Sequence, residues 1–409
     1  MKKLNPLINY TLLSLLIILN LNCLLFAIQH EQNLQTLIDN TNSGDTLFLK
    51  NGIYEATPKS IIEKICGNCV EPLTDVQATV GFYIKGKSIK IYGENPDSTI
   101  LITNAGYGIL FENSYDSYIS NLTVTGGIRD PDGNATDAGI VVKNSRVTIE
   151  NVHIVNNTHR IDTVVVGIGG VFGREGGELF ILNNIIRNNG WDGVALYRGA
   201  TAVIADNIIE TGRGAGIGIT WDAGAIVYRN RISGYWKGIG TFGESRAVVR
   251  NNAVFNNLGW GIIATGNAYM EVLNNVIYHN GNCGFAVWRE STRGILKNNI
   301  IAKNGWKDEW VCPCVGVWMN TSLENFSIEY NNVWDNSAGN YEGIDDQTDK
   351  NGNISQNPQF INSNSFRLNP ESPCINSGDP IIIDSNGTRS DIGIYGGPLG
   401  NTRCQMPDS

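Results

Sequence analysis

A short pattern centred on asparagine recurs between Asn183 and Gly305 and restricts the fold more than any other feature of this sequence. An Asn with a polar residue before it and an aliphatic residue two positions after it returns at intervals of 23, 23, 22, 23 and 24 residues. These residues are Asn184, Asn207, Asn230, Asn252, Asn275 and Asn299. A Gly followed by an apolar residue lies 14 or 15 residues before each of the last five of these asparagines. A fixed period of this length indicates a solenoid, propeller or similar array.

The length of the repeat selects among these folds. With a strand rise of ~3.3 Å per residue, one repeat accommodates three short strands and three corners. The long stripes of 3.6-residue period that helical repeats need are missing, and Ile, Val, Asn and Gly occupy the positions that Leu would hold in a leucine-rich repeat. The sequence therefore predicts an all-β parallel β-helix. Looser copies that begin at Gly81, Gly108, Gly139, Gly167 and Gly316, the last with Asn332 in the Asn column, extend it to ten turns.

The amino terminus differs from the repeat. Lys2 and Lys3 precede an apolar run over residues 12–28 that includes the small residue Ala27, which predicts a signal peptide over residues 1–27. An uncleaved membrane anchor and, because of Cys23, a lipoprotein are the alternatives. Residues 33–39 have apolar positions at helical spacing, which predicts a helical cap over the open end of the solenoid.

The chain thus divides into four predicted segments: a signal peptide at 1–27, an N-terminal cap with the first strands at 28–80, the parallel β-helix at 81–343 and a C-terminal cap segment at 344–409. A net charge of −9 argues against nucleic acid as a partner. This net charge is still compatible with an anionic glycan as a partner, bound by a local basic patch. The mature chain is predicted to be secreted, periplasmic or on the cell surface, without stable membrane insertion, and monomeric.

Seven of the eight cysteines follow the predicted signal peptide. In an oxidising compartment a disulfide is the default for Cys66 and Cys69, which are three residues apart. Cys283 and Cys314 each come shortly before a repeat Gly, which places them at one corner on neighbouring turns and predicts a bridge between them. A zinc site is the alternative, although the spacing of a zinc ribbon is absent.

The closing segment carries the motifs NPQF, SPCINSG and DIGIYGG. Together with the Asn and Gly repeats over residues 80–335, it resembles bacterial exported right-handed parallel β-helix proteins of the pectate-lyase-like superfamily. The resemblance implies a right-handed coil and, in many members, the cleavage or binding of polysaccharides. It does not imply one reaction, because the superfamily includes lyases, hydrolases, epimerases, tailspikes and surface proteins without catalytic activity. No polygalacturonase or pectate-lyase signature is present.

The outward side of the strand that follows each Gly is the face on which the resemblance places sugar binding. Asp222 and Glu244 occupy equivalent positions on adjacent turns, so their carboxylates are candidates for an acid and base pair. Lys237 and Arg213 are candidates for stabilising negative charge in the same reaction. The candidate substrate-binding residues around them are Trp191, Asp192, Tyr197, Arg198, Trp221, Trp288, Arg289 and Glu290. Solvated charges with cross-strand pairing remain the alternative for each.

One loop suggests calcium as a cofactor. Asp130, Asp132, Asn134 and Asp137 place oxygen ligands at short intervals around Gly133, and residues 384–391 form a similar loop. An ordinary Asp and Gly turn is the alternative.

The leading prediction is an exported carbohydrate-active protein that binds an extended polysaccharide and, as an enzyme, cleaves it as a lyase or a glycoside hydrolase. The alternative is a surface β-helix that only binds glycan.

Overall fold

The computed structural model describes residues 33–158, 167–307 and 312–400. The predicted signal peptide, its alternatives and Cys404 therefore lie outside the described residues. Helix α1 spans Leu34–Asn40, and the Asn33 side chain caps it by accepting hydrogen bonds from the backbone N–H groups of Gln35 and Thr36. Leu34 and Ile38 are buried in the main core. The predicted helical cap is confirmed.

Three long sheets form the body of the described chain. Sheet A contains β1 Thr46–Leu49, β5 Lys90–Gly93, β8 Ser117–Ser120, β11 Arg146–Glu150, β14 Glu178–Leu182, β17 Thr201–Ala205, β20 Gly224–Tyr228, β23 Arg246–Arg250, β26 Tyr269–Leu273, β29 Arg293–Lys297 and β32 Phe326–Glu329. Sheet B contains β2 Gly52–Glu55, β6 Thr99–Ile102, β9 Thr123–Thr125, β12 His153–Val155, β15 Ile185–Arg187, β18 Ile208–Glu210, β21 Arg231–Ser233, β24 Ala253–Phe255, β27 Val276–Tyr278, β30 Ile300–Ala302 and β33 Asn332–Trp334. Sheet C contains β3 Lys59–Glu63, β4 Val76–Lys85, β7 Tyr107–Glu112, β10 Ala138–Lys143, β13 Gly169–Arg174, β16 Val194–Leu196, β19 Ala215–Ile219, β22 Lys237–Thr241, β25 Trp260–Ala264, β28 Phe285–Val287, β31 Val317–Met319 and β34 Tyr341–Glu342.

Each turn visits sheet C, then sheet A, then sheet B, and every neighbouring pair within a sheet is parallel except β3 with β4. The described strands make ten such turns, from β4 to β33, as the repeat predicts. The first and third residues after the repeat Gly, such as Ile217 and Ile219, are buried in one continuous core. In the fourth turn the aligned glycine is Gly170 and not the predicted Gly167, because Val171 pairs with Ile140 and Val194. The fold is a parallel β-helix with the predicted inward columns.

A ladder of buried asparagines joins the turns at the corner between sheets A and B. The Asn275 side-chain amide donates to Asn299 Oδ1 at 3.0 Å, and the Asn252 amide donates in the same way to Asn275. The residue before each ladder Asn, such as Asn274, takes the left-handed backbone conformation, in which Asn is tolerated. The ladder passes through Asn331 rather than the predicted Asn332, which instead begins β33 and bonds to Gln356. This correction leaves the structural role of the column intact.

Residues after β34 turn back along the helix instead of only closing its end. Strands β35 Phe360–Asn362 and β36 Arg367–Leu368 form a small antiparallel pair. Residues 390–396 then lie on the outside of sheet B, where the Asn251 amide donates to the carbonyls of Ile394 and Gly396. The C-terminal segment thus covers the side of several turns, because its backbone groups bond to the corner Asn side chains.

The cysteines confirm one predicted pairing and correct another. Cys66 and Cys69 form a disulfide. The predicted Cys283–Cys314 bridge is wrong, because Cys283 Sγ donates to the Pro313 carbonyl at 3.0 Å and Cys314 Sγ to the Lys307 carbonyl at 3.0 Å. The thiol beside Cys283 is that of Cys312. Within the described ranges, no group of three His, Cys, Asp or Glu side chains has the geometry of a metal site.

Candidate functional site

The outer face of sheet C contains a recess made by two glycines. One row of outward positions runs across the sheet through Tyr83, Leu110, Val141, Phe172, Ala195, Gly218, Gly240, Ile263, Ala286 and Trp318. Large side chains fill both ends of this row, and the middle has none. The recess therefore spans two neighbouring strands, β19 and β22, which are ~4.8 Å apart.

Asp192 stands at the edge of this recess, one turn before Gly218. Its Oδ1 accepts a hydrogen bond from the Ala215 N–H at 2.5 Å, and its Oδ2 lies 3.7 Å from the position where a side chain of Gly218 would begin. Desolvation raises the pKa of Asp192 to about 6, and the nearby positive charge of Lys237 limits the rise. The carboxyl group of Asp192 therefore changes protonation close to neutral pH, while that of an ordinary Asp does so near ~3.9.

Tryptophan side chains continue the face beyond Lys237. Trp236 makes an edge contact with Trp260 at 5.9 Å between ring centres, Trp260 with Trp288 at 5.9 Å, and Trp288 with Trp318 at 5.5 Å. Trp236, Trp288 and Trp318 keep part of their surface exposed, whereas Trp260 is buried. We call these four residues the tryptophan platform. Lys307 lies over the Trp236 ring at 4.8 Å.

The opposite side of the recess is closed by the loop that contains the disulfide. Arg198 donates from Nε to the Cys66 carbonyl at 3.1 Å and from Nη2 to the Cys69 carbonyl, and its guanidinium lies over the Trp221 ring at 5.0 Å. Tyr197 faces outward from the sheet as predicted, yet it is 4% exposed because this loop packs against it. Arg198 therefore anchors a loop, a contact that the sequence did not indicate.

A small cavity of about 180 Å³ remains between this loop and residues 129–137. Its walls include Asn68, Arg129, Phe172, Trp191 and Tyr197. Phe172 and Tyr197 meet edge to face at 5.7 Å. The cavity lies beside Asp192, since Trp191 immediately precedes that residue in the chain.

Beneath the same loop lies a buried group of charged side chains that the sequence did not reveal. Arg174 is 1% exposed and donates from Nη1 to Glu63 at 2.7 Å and to Tyr107 Oη at 3.0 Å. Lys143 Nζ also bonds to Glu63, at 2.8 Å. Burial opposes ionisation of Glu63, but Arg174 and Lys143 hold its pKa below the usual value. The group ties β3 to the sheet and supports the closed side of the recess.

The predicted pair Asp222 and Glu244 occupies the corner between sheets C and A, where both residues are exposed. Asp222 Oδ1 accepts a hydrogen bond from the Gly199 N–H at 2.8 Å, so it caps the preceding corner. Glu244 lies at a depression on the sheet A side with Arg246 and Tyr269. Both positions are away from the recess, and their catalytic role stays a prediction.

The other predicted site residues do not all lie at the recess. Trp191, Asp192 and Lys237 surround the recess, and Trp288 belongs to the tryptophan platform. Trp221 contacts Phe242 at 6.0 Å between ring centres, and Phe242 is half exposed. Arg213, Arg289 and Glu290 are exposed. Gly218 and Gly240, which form the recess, were not among the predicted residues, and the sequences Gly-Ile-Gly-Ile and Gly-Ile-Gly-Thr were the available signal.

The predicted calcium loop holds two carboxylates that face each other. Both Asp130 oxygens accept hydrogen bonds from Thr79, and Asp132 accepts from the N–H groups of Gln77 and Asn134. Burial and the neighbouring Asp130 raise the pKa of Asp137 to about 8. Most carboxylate oxygens of the loop accept from N–H and O–H donors, whereas the buried Asp137 Oδ1 has no hydrogen-bond partner. Calcium binding stays a prediction.

Comparison with known proteins agrees with this architecture. Residues 169–333 match the family model described as a right-handed β-helix region. The three stacked parallel sheets extend the same coil over the described residues, and the fold is a right-handed parallel β-helix. No curated protein matches the sequence significantly. Within the described residues, no helix is long and apolar enough to cross a membrane.

Three solved structures illustrate the similarity. The A-module of mannuronan C-5 epimerase AlgE4 from Azotobacter vinelandii is 15% identical with a TM-score of 0.46, over 77% of this chain and 89% of that one. Pectate lyase Pel9A is 16% identical with a TM-score of 0.45, over 88% and 90%. The catalytic domain of a GH87 alpha-1,3-glucanase is 11% identical with a TM-score of 0.39, over 80% and 67%.

Proposed function

We propose that this chain is an exported, monomeric protein that binds an acidic polysaccharide on the outer face of sheet C and cleaves it at the recess. The proposal rests mainly on the carboxyl group of Asp192. Its pKa is about 6, and it lies beside Gly218 and near Lys237. A carboxyl group that titrates close to neutral pH can either donate or accept a proton under working conditions.

The surroundings of Asp192 favour a sugar polymer over a small apolar ligand. Trp191, Trp236 and Phe242 present ring surfaces that pack against the apolar faces of sugar rings. A solenoid also offers a long continuous surface, which suits an extended chain. The recess itself lacks side chains over two strands, so a sugar ring can approach the backbone of β19 and β22 closely.

The charges near the recess favour an acidic sugar. Arg129, Arg213 and Lys237 bring positive charge to this face, although the whole chain has a net charge of −9. A local basic patch on an acidic protein attracts an anionic ligand selectively. Lys237 pairs with a sugar carboxylate or stabilises negative charge that develops during the reaction, and Asp192 transfers the proton. A lyase and a glycoside hydrolase both fit these roles.

The proposal is tested by measuring activity on a panel of acidic and neutral polysaccharides. Product formation is followed both by the absorbance of unsaturated sugars and by the appearance of new reducing ends. We expect turnover of an acidic polymer that Asp192→Asn reduces at least a hundredfold with little change in binding. The variants Asp222→Ala and Glu244→Ala are the matched comparison, since they remove carboxylates outside the recess.

Each outcome of this experiment has a distinct meaning. Full activity of Asp192→Asn with loss of activity in Asp222→Ala or Glu244→Ala would transfer the chemistry to the corner pair. Binding of an acidic polymer without turnover would favour a surface protein that only binds glycan. Absence of both binding and turnover on all polymers would overturn the proposed function.

A further inference from the structure

The outer face of sheet C is not equally accessible on the two sides of the recess. On the side of β13 and β16, Phe172 is 2% exposed and Tyr197 is 4% exposed under the disulfide loop. On the side of β28 and β31, Trp288 and Trp318 of the tryptophan platform keep exposed surface, as does Trp236 beside the recess. A polymer that follows the helix axis therefore meets a wall on one side only.

The wall is firmly held. Arg198 bonds to the carbonyls of Cys66 and Cys69, and Arg174 Nη2 donates to the Ile65 carbonyl at 2.7 Å. The Cys66–Cys69 disulfide closes the tip of the loop. A buried, charge-assisted anchor at Arg174 is stronger than a surface contact. This loop is consequently a fixed boundary of the groove.

A cavity of about 180 Å³ lies immediately in front of this wall. Pockets for drug-sized ligands measure ~300 to 1,000 Å³, so this cavity has room for one ring and not for a passing chain. Arg129, Asn68 and Trp191 supply one cation, one amide and one aromatic surface to it. These groups match a single acidic sugar unit.

From these features we propose that the protein recognises the end of a polysaccharide chain. This inference rests on the proposed function and adds the position of the bound chain. The terminal unit occupies the cavity between the disulfide loop and residues 129–137, the reacting linkage lies over Gly218 beside Asp192, and the following units cross the tryptophan platform. With ~4.8 Å between strands, the three turns beyond the recess, those of β25, β28 and β31, accommodate about three further units.

Gly133 offers a way to obstruct the mouth of the cavity without disturbing the fold. It lines the cavity, and a side chain at this position would meet nothing within 4 Å. Gly133 is exposed, so Gly133→Phe should place a ring at the mouth of the terminal subsite, whereas Gly133→Ala changes the backbone preference in the same way and leaves the mouth open. We expect Gly133→Phe to weaken binding of short oligosaccharides at least tenfold, and Gly133→Ala to retain it.

The decisive experiment uses the acidic polymer that the panel identifies, in the form of oligosaccharides that carry a fluorescent label at one end or the other. We expect one label to abolish binding and the other to be tolerated, and we expect wild-type turnover to release one short product from the start. Equal binding of both labelled forms, or early release of products of many lengths, would overturn the chain-end inference and leave the proposed function standing. Failure to bind any acidic polymer would overturn both.

Discussion

Replacing Asp192 by Asn should make the protein more stable while it removes activity. Burial raises the pKa of Asp192 from 3.8 to about 6, so the folded state holds the neutral carboxyl group more readily than the unfolded state. A difference of one pKa unit between the two states corresponds to ~1.36 kcal/mol of stability, which gives a penalty of about 3 kcal/mol when both states are ionised. Because the side chain keeps some solvent contact, we expect about half to all of this value.

The sign of the effect follows from the two pKa values. Below pH 3.8 the carboxyl group is neutral in both states and the penalty vanishes, and it grows as the pH rises until it is complete above about 6. The amide side chain introduced by Asp192→Asn can still accept the hydrogen bond from Ala215 through its carbonyl oxygen. The stability gain of the variant should therefore be near zero at pH 4 and largest at pH 8.

Thermal unfolding of the wild type and Asp192→Asn at pH 4, 6 and 8 measures this difference. At roughly 1–2 °C per kcal/mol for a folded domain of more than 300 residues, a rise of about 2–5 °C is expected at pH 8. Asp222→Asn, at an exposed corner, is the control and should show no comparable rise. A variant that is equally or less stable than the wild type at all three values would refute the assignment of a desolvated carboxyl group.

Three further substitutions probe the supporting structure by thermal or denaturant unfolding. Asn252→Ala should lower the free energy of unfolding by about 2–5 kcal/mol, because it removes a fully buried amide that bonds to Asn275 and to two backbone carbonyls. A loss under ~1 kcal/mol would contradict the structural role of the asparagine ladder. Arg174→Met should lower the free energy of unfolding by about 3 kcal/mol or more, because the buried charge of Glu63 loses its ion pair with Arg174. An unchanged free energy of unfolding would argue against Arg174 as an anchor of the fold. Asp137→Asn should gain stability over the wild type as the pH rises from 4 to 8, since the wild-type carboxyl group ionises in the unfolded chain over this range but keeps its proton in the fold; a difference independent of pH would contradict the raised pKa.

The turns of this protein were readable from the sequence because their determinants are local. The Gly and Asn of one repeat, such as Gly216 and Asn230, fix a corner and a hydrogen-bonded column within a single turn. The inward residues Ile217 and Ile219 follow from the two-residue period of a strand. Each repeat also confirms the others, so a mistake in one would be visible against its neighbours.

The site was less predictable because its residues acquire their properties from distant parts of the chain. Tyr197 has the pattern of an exposed position, but the loop around Cys66 and Cys69, far earlier in the sequence, covers it. Asp192 owes its raised pKa to burial between neighbouring turns, which outweighs the opposite effects of the Ala215 N–H and of Lys237. The equal spacing of Asp222 and Glu244 is shared by all stacked pairs, and it did not show that they occupy a corner.

Filling the recess tests most directly whether it is the functional site. A side chain at Gly218 would meet only the Ala215 Cβ and Asp192 Oδ2, both at the ordinary contact distance of 3.7 Å, so Gly218→Leu should fold normally. Gly224→Leu is the matched control on the outer edge of sheet A, where the nearest atoms lie at 3.8 and 3.9 Å. Affinity for the acidic polymer, measured by titration calorimetry on folded variants, should fall at least tenfold in Gly218→Leu and remain unchanged in Gly224→Leu. Equal affinity of both variants and the wild type would show that the polymer does not use the recess.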